Sequence, residues 1–296
     1  MNRGHWEGVG AYGLWGLLPV YWKWLSHVSP VQILCHRIVW SFFFLFLAVL
    51  ALRQWKSFVR AILRPRVIPV YTLAAALVTI NWFVYVWAVN AGFIVETALG
   101  YFINPLFSVL IGVIFLRERL RPWQWVPVGL AALGILCLTI TYGSPPWIAL
   151  TLASAWATYG LVKKLAPLGS LHGLTLETGI LLLPVVAYLV YIDRIGQGAF
   201  LHRGAVSDLL LIGAGLATTA PLFLFASAVQ RIPLSVIGFL QFIAPTIQFF
   251  IGVLIYKEPF APAQFVGFGF VWTALIIFGV EGYLAHRPPP ATEIEL

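Results

Sequence analysis

Charge is scarce in this sequence. Only 9% of its 296 residues are Asp, Glu, Lys or Arg, against roughly a quarter in soluble domains. Hydrophobic residues make up 61%, and a soluble fold of this length cannot hide that much apolar surface from water. A soluble enzyme or binding module is excluded on that ground. Cysteine is almost absent: Cys35 and Cys137 both lie inside apolar runs and read as small core residues, not as a disulfide framework. No Walker sequence (GxxxxGK[ST]) occurs, so the chain supplies no ATPase of its own. GxSxG and HExxH are missing too, so no catalytic residue, metal site or cofactor is implied. A cleavable signal peptide is also lacking. The apolar segment after Arg3 runs straight into a second apolar stretch and reads as a retained helix.

What the chain does have is long apolar runs. A bilayer span needs about 17–25 such residues, and ten runs qualify, at roughly 7–25, 30–52, 67–90, 95–116, 122–141, 145–162, 171–192, 206–229, 233–255 and 261–284. Lipid leaves backbone groups no outside partner, so these are helices; the alternation of a membrane barrel strand is missing. The expected class is all-α integral membrane protein. Aromatic residues, 16% with 13 Trp, suit rings at membrane interfaces.

The formal net charge is +8. Placed on a soluble domain it would suggest nucleic acid; here it reads as a topology signal. With the N-terminus in the cytoplasm, 13 basic residues fall inside: Arg3, Arg53, Lys56, Arg60, Arg64, Arg66, Arg117, Arg119, Arg121, Lys163, Lys164, Arg231 and Arg287. Four fall outside: Lys23, Arg194, Arg203 and Lys257. That asymmetry puts both termini in the cytoplasm of a multi-pass protein. The last residues, 286–296, read as a disordered tail.

The chain matches itself at an offset of 140 residues. Phe102-Ile103-x-Pro105 falls on Phe242-Ile243-x-Pro245, Ile111-Gly112-Val113 on Ile251-Gly252-Val253, and Glu118 on Glu258. Lys23 falls on Lys163, and Ala88-Val89 on Ala228-Val229. Chance resemblance between apolar helices would give scattered Leu and Val matches, not coincident Pro, Gly and Glu. The halves are 1–141 and 145–285, with five spans each. Five is odd, so the second half enters the membrane upside down. Inverted repeats are a feature of secondary transporters, with the site between halves near the midplane, although channels share such symmetry.

Polar residues inside the spans are the candidate pathway. Arg37 lies within span 2, where a charge costs about 2.5–3.5 kcal/mol at the helix centre. It faces a cavity, snorkels to the interface, or pairs with span 7. The offset pairs it with Glu177, the one carboxylate well inside the second-half spans. Both are expected to project toward a central cavity from opposite depths. His36 either titrates in the cycle or satisfies a core hydrogen bond. In span 4, Tyr101, Asn104 and Ser108 share a helical stripe with Gly112; in span 9, Gln241, Pro245, Gln248 and Gly252 do the same. These stripes line a pathway or pack helix on helix. Pro105 and Pro245 each free a carbonyl one turn earlier and can kink the helix. Asn81 and Tyr85, with Trp82 beside them, mark span 3, and Trp15 and Tyr21 mark span 1. Aromatic rings with polar handles suit an organic solute; Tyr21 and Trp87 equally suit an interface belt. Glu96 opens span 4 at a helix N-terminus, where a carboxylate is favoured anyway.

Several strings carry a resemblance: Trp15-Gly16-x-x-Pro19-x-Tyr21-x-Lys23, His36-Arg37-x-x-Trp40-Ser41-Phe42-Phe43-Phe44, Asn81-Trp82, Trp87-Ala88-Val89-Asn90, Leu99-Gly100-Tyr101-Phe102-Ile103-Asn104-Pro105-Leu106, Tyr159-Gly160-Leu161-Val162, Thr218-Thr219-x-Pro221-Leu222 and Gly238-Phe239-x-Gln241-Phe242-Ile243-x-Pro245-Thr246. From about Glu7 to Tyr283 the chain resembles the RarD branch of the EamA family, in the drug/metabolite transporter superfamily. The resemblance implies ten helices in two repeats and export across a bacterial inner membrane. The branch takes its name from chloramphenicol handling, and wider relatives export amino acids and other metabolites. The expected function is therefore a secondary-active exporter of a small organic solute working by alternating access, with proton coupling through Glu177 or His36 as one mode. A passive channel or scramblase is the alternative. An intramembrane enzyme lacks the paired acids or nucleophile it would need.

Overall fold

The computed structural model describes residues 3–90, 94–142 and 147–257, and in the last segment 266, 269–270, 272–274, 276–278 and 280–281. Most of the predicted span 261–284 and the predicted tail 286–296 lie outside the described residues, as do the Glu96 side chain and the repeat mate Glu258.

Among the described residues every regular element is helical. The order is α1 Arg3–Trp24, α2 Pro30–Ala51, α3 Trp55–Ile62, α4 Val67–Asn90, α5 Ile94–Phe115, α6 Trp125–Tyr142, α7 Trp147–Leu165, α8 Ser170–Arg194, α9 Ala205–Arg231, α10 Leu234–Leu240 and α11 Ile243–Phe250. A π turn, Ile251–Ile255, follows α11. Five stretches are long and apolar enough to cross a membrane: Pro30–Ala51, Val67–Tyr85, Ser170–Arg194, Ala205–Arg231 and Leu234–Ile255; Gly100–Phe115 is a shorter apolar stretch. Helix α1 matches them in length but carries Arg3, Glu7 and Lys23, and α7 ends on Lys163 and Lys164.

Local chemistry sets the boundaries. Pro30 occupies the first turn of α2, where its missing N–H costs nothing. Pro233 closes α9: the preceding Ile232 is extended, at φ −123° and ψ 159°, as a residue before proline prefers. Each half also places a non-glycine residue in the left-handed region at the same repeat position, Arg117 at φ 54° and Lys257 at φ 51°.

The elements recur in register. Shifted by 140, α2 starts on the start of α8, and α5 covers α10, α11 and the π turn from end to end. The mates nonetheless differ. Helix α5 runs unbroken through Pro105, whereas the second-half span breaks at Gln241–Phe242. Pro245 lacks the N–H that would have bonded Gln241, four residues earlier, and its ring crowds that carbonyl. The short helix α3, with Lys56 and Arg60 on it, falls between the predicted spans 30–52 and 67–90; its mate, 195–202, is not helical.

The chain divides into two compact units. The larger comprises Met1–Glu118 and Pro146–Pro259, the smaller Arg119–Pro145 and Phe260–Leu296. Within the smaller unit, Glu281 accepts hydrogen bonds from Arg121 Nη1 at 2.9 Å and Gln124 Nε2 at 3.1 Å. Within the larger, α1, α4, α7, α9 and α10 share an aromatic core in which Tyr159 stacks on Phe225 at 6.0 Å and Trp15 meets Trp156 edge-on at 5.4 Å. Lipid tails are as apolar as leucine, so such contacts hold by close packing more than by water exclusion. The closest approach is at Gly215 of α9, where a Cβ would lie 2.4 Å from Trp40 Cβ and 2.7 Å from Ser41 N of α2. Only glycine permits it.

Candidate functional site

Helices α2 and α8 define the axis of the site. Leu45 and Leu174 share one hydrophobic cluster, so the end of α2 lies beside the start of α8, and Phe42, earlier in α2, lies against Gly179, later in α8. The pair is therefore antiparallel. Arg37 and Glu177, equally far into their helices, lie toward opposite ends of it.

At one end is a buried ion pair. Lys163 Nζ donates to Glu177 Oε1 at 2.6 Å, and Tyr159 Oη donates to Glu177 Oε2 at 3.0 Å. The lysine and glutamate side chains are 1% and 4% exposed. The ammonium also lies 5.3 Å from the Tyr71 ring and 5.9 Å from the Tyr159 ring. Two charges in low dielectric hold only when their remaining hydrogen-bonding capacity is met, and the tyrosine hydroxyl meets part of it. Around this pair the helix ends are tied together. Lys164 Nζ donates to Val229 O at 3.2 Å and Ile232 O at 2.7 Å, joining α7 to the end of α9. Arg231, which also bonds Ser227, pairs with Glu7 at 2.9 Å, joining α9 to α1. Glu118, just past α5, accepts from Leu234 N at 2.7 Å, Ser235 N at 2.9 Å and Ser235 Oγ at 2.8 Å, capping α10. Gln241 Nε2 donates to Ser108 Oγ at 2.6 Å.

At the other end is a guanidinium with a different environment. Arg37 Nε donates to Thr218 Oγ1 at 2.8 Å. Its Cζ lies 4.9 Å from the centroid of the Trp22 ring and 4.9 Å from that of the Trp82 ring. Nearby, Tyr85 and Tyr101 meet edge to face at 5.7 Å, and both rings keep open surface. Here α1, α2 and α9 are bonded to one another through Tyr21 Oη to Leu210 O at 2.6 Å and Ser41 Oγ to Gly215 O at 3.0 Å. Helix α4 bonds α7 through Asn81 Nδ2 to Leu152 O at 2.9 Å. Among the described residues, the contact of Arg37 with Trp82 joins these two groups at this end.

Between the ends is a small cavity lined by residues of α2, α4, α7, α8 and α9, among them Ser41, Trp82, Tyr159, Glu177 and Thr218. It leaves about 20 Å³ for the centre of a water molecule, enough for about one water and too little for an organic solute. Glu177 and Thr218, the residue that holds Arg37, both line it.

The sequence candidates therefore separate into groups. Ser108 and Gln241 touch directly, as do Arg37 and Trp82, and Tyr85 and Tyr101. Gln248 Nε2 reaches Trp15 O at 3.1 Å, tying α11 to α1. Arg37 and Glu177 do not pair; each has its own partner. His36 is buried against Phe200 at 5.2 Å. Asn104 is buried, and its Oδ1 has no hydrogen-bond partner among the described residues. Pro105 O approaches Gly238, where a Cβ would come within 2.7 Å; Pro245 sits just past the break that ends α10. Sequence reasoning missed Lys163, counted there as a topology marker, together with Tyr159, Trp22, Thr218 and the cap Glu118. Two signals point to Lys163: it is the repeat mate of Lys23, and Tyr159 lies one helical turn before it on the same face. Among the described residues no group of three His, Cys, Asp or Glu side chains could hold a metal.

Comparison with known proteins gives three findings. The EamA-like transporter family matches twice, over residues 3–140 and 145–280. Protein RarD of Streptomyces exfoliatus is 48% identical over 271 residues, covering 91% of this chain and 86% of its own; the uncharacterized transporter YojE of Bacillus subtilis (strain 168) is 45% identical, covering 90% and 89%. A solved crystal structure superposes with a TM-score of 0.70 at 17% identity, over 96% of this chain and 99% of the other, a likeness of fold.

Proposed function

Because this chain belongs to the EamA-like transporter family, we propose that it is a secondary-active permease that exports a small organic solute across a bacterial inner membrane by alternating access. The reading takes ten transmembrane helices as two inverted repeats, 1–141 and 145–285, with both termini cytoplasmic. One observation carries it: the repeat mates Arg37 and Glu177 stand toward opposite ends of one helix pair with a small cavity between, and Glu177 is buried in an ion pair whereas Tyr85 and Tyr101 beside Arg37 keep exposed surface. A channel needs no such inequality. A carrier does, because it must seal one end whenever the other is open.

The Lys and Arg asymmetry of the loops assigns the Lys163 end to the cytoplasm. The described conformation is then sealed inward, and the solute approaches the Arg37 end past Tyr85 and Tyr101. Closing that end around a solute and parting the Lys163–Glu177 latch would complete the cycle. Protonation of Glu177 would weaken the latch, which gives a proton gradient a point of entry. The solutes expected from the resemblance are amino acid-like metabolites or a drug such as chloramphenicol.

Counterflow in proteoliposomes tests this reading. Vesicles preloaded with the metabolites of exporting cells should take up labelled members of that set faster than empty vesicles, with saturation and with dependence on an imposed pH gradient. Flux far faster than carrier turnover, without counterflow, would replace the carrier by a channel or scramblase.

A further inference from the structure

The charges inside the helices do not balance. Lys163 and Glu177 neutralise each other at 2.6 Å. Arg37 has no such partner: among the described residues its only hydrogen bond is from Nε to the neutral Thr218 hydroxyl, and no carboxylate lies within ion-pair distance. Indole faces cover the guanidinium at 4.9 Å from Trp22 and Trp82. Ring faces attract a cation far more weakly than a carboxylate partner does and do not make up for the water it loses. The repeat sharpens the imbalance. It places a lysine at both ends, Lys23 and Lys163, but an acid facing the cavity at one end only.

The geometry also says how the missing charge would dock. A guanidinium is planar and carries five N–H donors. Nε is used on Thr218, and among the described residues the two terminal amino groups have no hydrogen-bond partner, so the edge they form remains. That edge matches the two oxygens of a carboxylate, which can accept a parallel pair of hydrogen bonds. Tyr85 and Tyr101, within electrostatic reach of Arg37 and with open ring surface, provide aromatic walls for the organic body of the same molecule.

We propose that the solute bound at this site carries a carboxylate that docks on the terminal edge of Arg37, with its body against Tyr85 and Tyr101. A neutral solute leaves the guanidinium uncompensated and binds more weakly. This names the substrate class for the exporter reading and rests on it for its cellular meaning, but binding can be measured without transport.

The test uses benzoate and benzamide, which share a ring and differ in the charged group. The purified full-length protein in nanodiscs is titrated with each by calorimetry. Benzoate should bind more tightly than benzamide. Hydrogen bonds to a charged group are worth about 1.5–3 kcal/mol, so Arg37→Gln should weaken benzoate by roughly tenfold or more while leaving benzamide unchanged. Arg37→Lys, which keeps the charge but not the planar edge, should retain part of the affinity and covers the case in which Arg37→Gln does not fold. Benzoate binding no better than benzamide, including no binding of either, overturns the proposal, as does benzoate affinity unaffected by Arg37→Gln. Counterflow of carboxylate solutes that survives Arg37→Gln undiminished would remove this proposal and leave the exporter standing. Benzoate binding through Arg37 without any counterflow would do the reverse.

Discussion

Residues made equivalent by the 140-residue repeat sit in unequal surroundings. Phe225 is 0% exposed and Gln241 6%, at the Lys163 end; their mates Tyr85 and Tyr101, at the Arg37 end, are 36% and 42% exposed. Lys163 is buried in an ion pair, whereas its mate Lys23 is open and lies 5.2 Å from the Tyr256 ring. Glu177 is neutralised and Arg37 is not. Similar sequence halves have thus settled into different conformations. In an inverted-repeat carrier this inequality is the mechanism, because exchanging the two conformations moves the opening from one end to the other.

The comparison breaks most visibly at the ion pair. Glu177→Gln leaves the Lys163 ammonium buried and uncompensated, a loss of about 3–5 kcal/mol, read as a large drop in the thermal midpoint of the purified protein. Adding Lys163→Met should recover much of it; a double variant as unstable as the single one would mean the pair is not the source. The next effect is at Gly215. Adding a methyl group by Gly215→Ala forces α2 and α9 apart and should cost about 1–3 kcal/mol as overpacking, measured by the same midpoint. Removing the α10 cap with Glu118→Ala is expected to cost roughly 1 kcal/mol and to speed hydrogen exchange at Leu234 and Ser235. The smallest effect belongs to Arg37→Gln. Its lost indole contacts and the relieved burial of an unpaired charge act in opposite directions, so the midpoint should stay within about 1 kcal/mol of the parent. The repeat mates Arg37 and Glu177 would then differ sharply in stability when each becomes Gln, and equal losses would contradict the charge imbalance.

Helix existence was legible because lipid compels every apolar run to satisfy its own backbone. The expected 30–52 and 67–90 became α2 and α4 within a residue. The break at Gln241–Phe242 was less legible: Pro105 and Pro245 occupy the same repeat position, and only the packing around them separates an unbroken helix from a broken one. Helix α3, at eight residues, is too short to impose a pattern on a basic stretch. At the site, the polar stripes of spans 4 and 9 identified Ser108 and Gln241, which touch. Lys163 was hidden because a lysine at the end of an apolar run looks the same whether it faces water or a glutamate from another helix. Its partner is set by how α7 and α8 each pack against α4 and α9, which residue spacing does not reveal.

Alternating access requires that one end of the pathway be sealed while its repeat mate is open, and that the two exchange. Single cysteines at Tyr85 and at its mate Phe225, in a background with Cys35 and Cys137 replaced, report both ends through a water-soluble thiol reagent. Tyr85→Cys should react quickly and Phe225→Cys slowly, and adding Glu177→Gln, which releases the latch, should slow the first and speed the second. Equal reactivity at the two positions, or a Glu177→Gln background that shifts neither, would contradict alternating access.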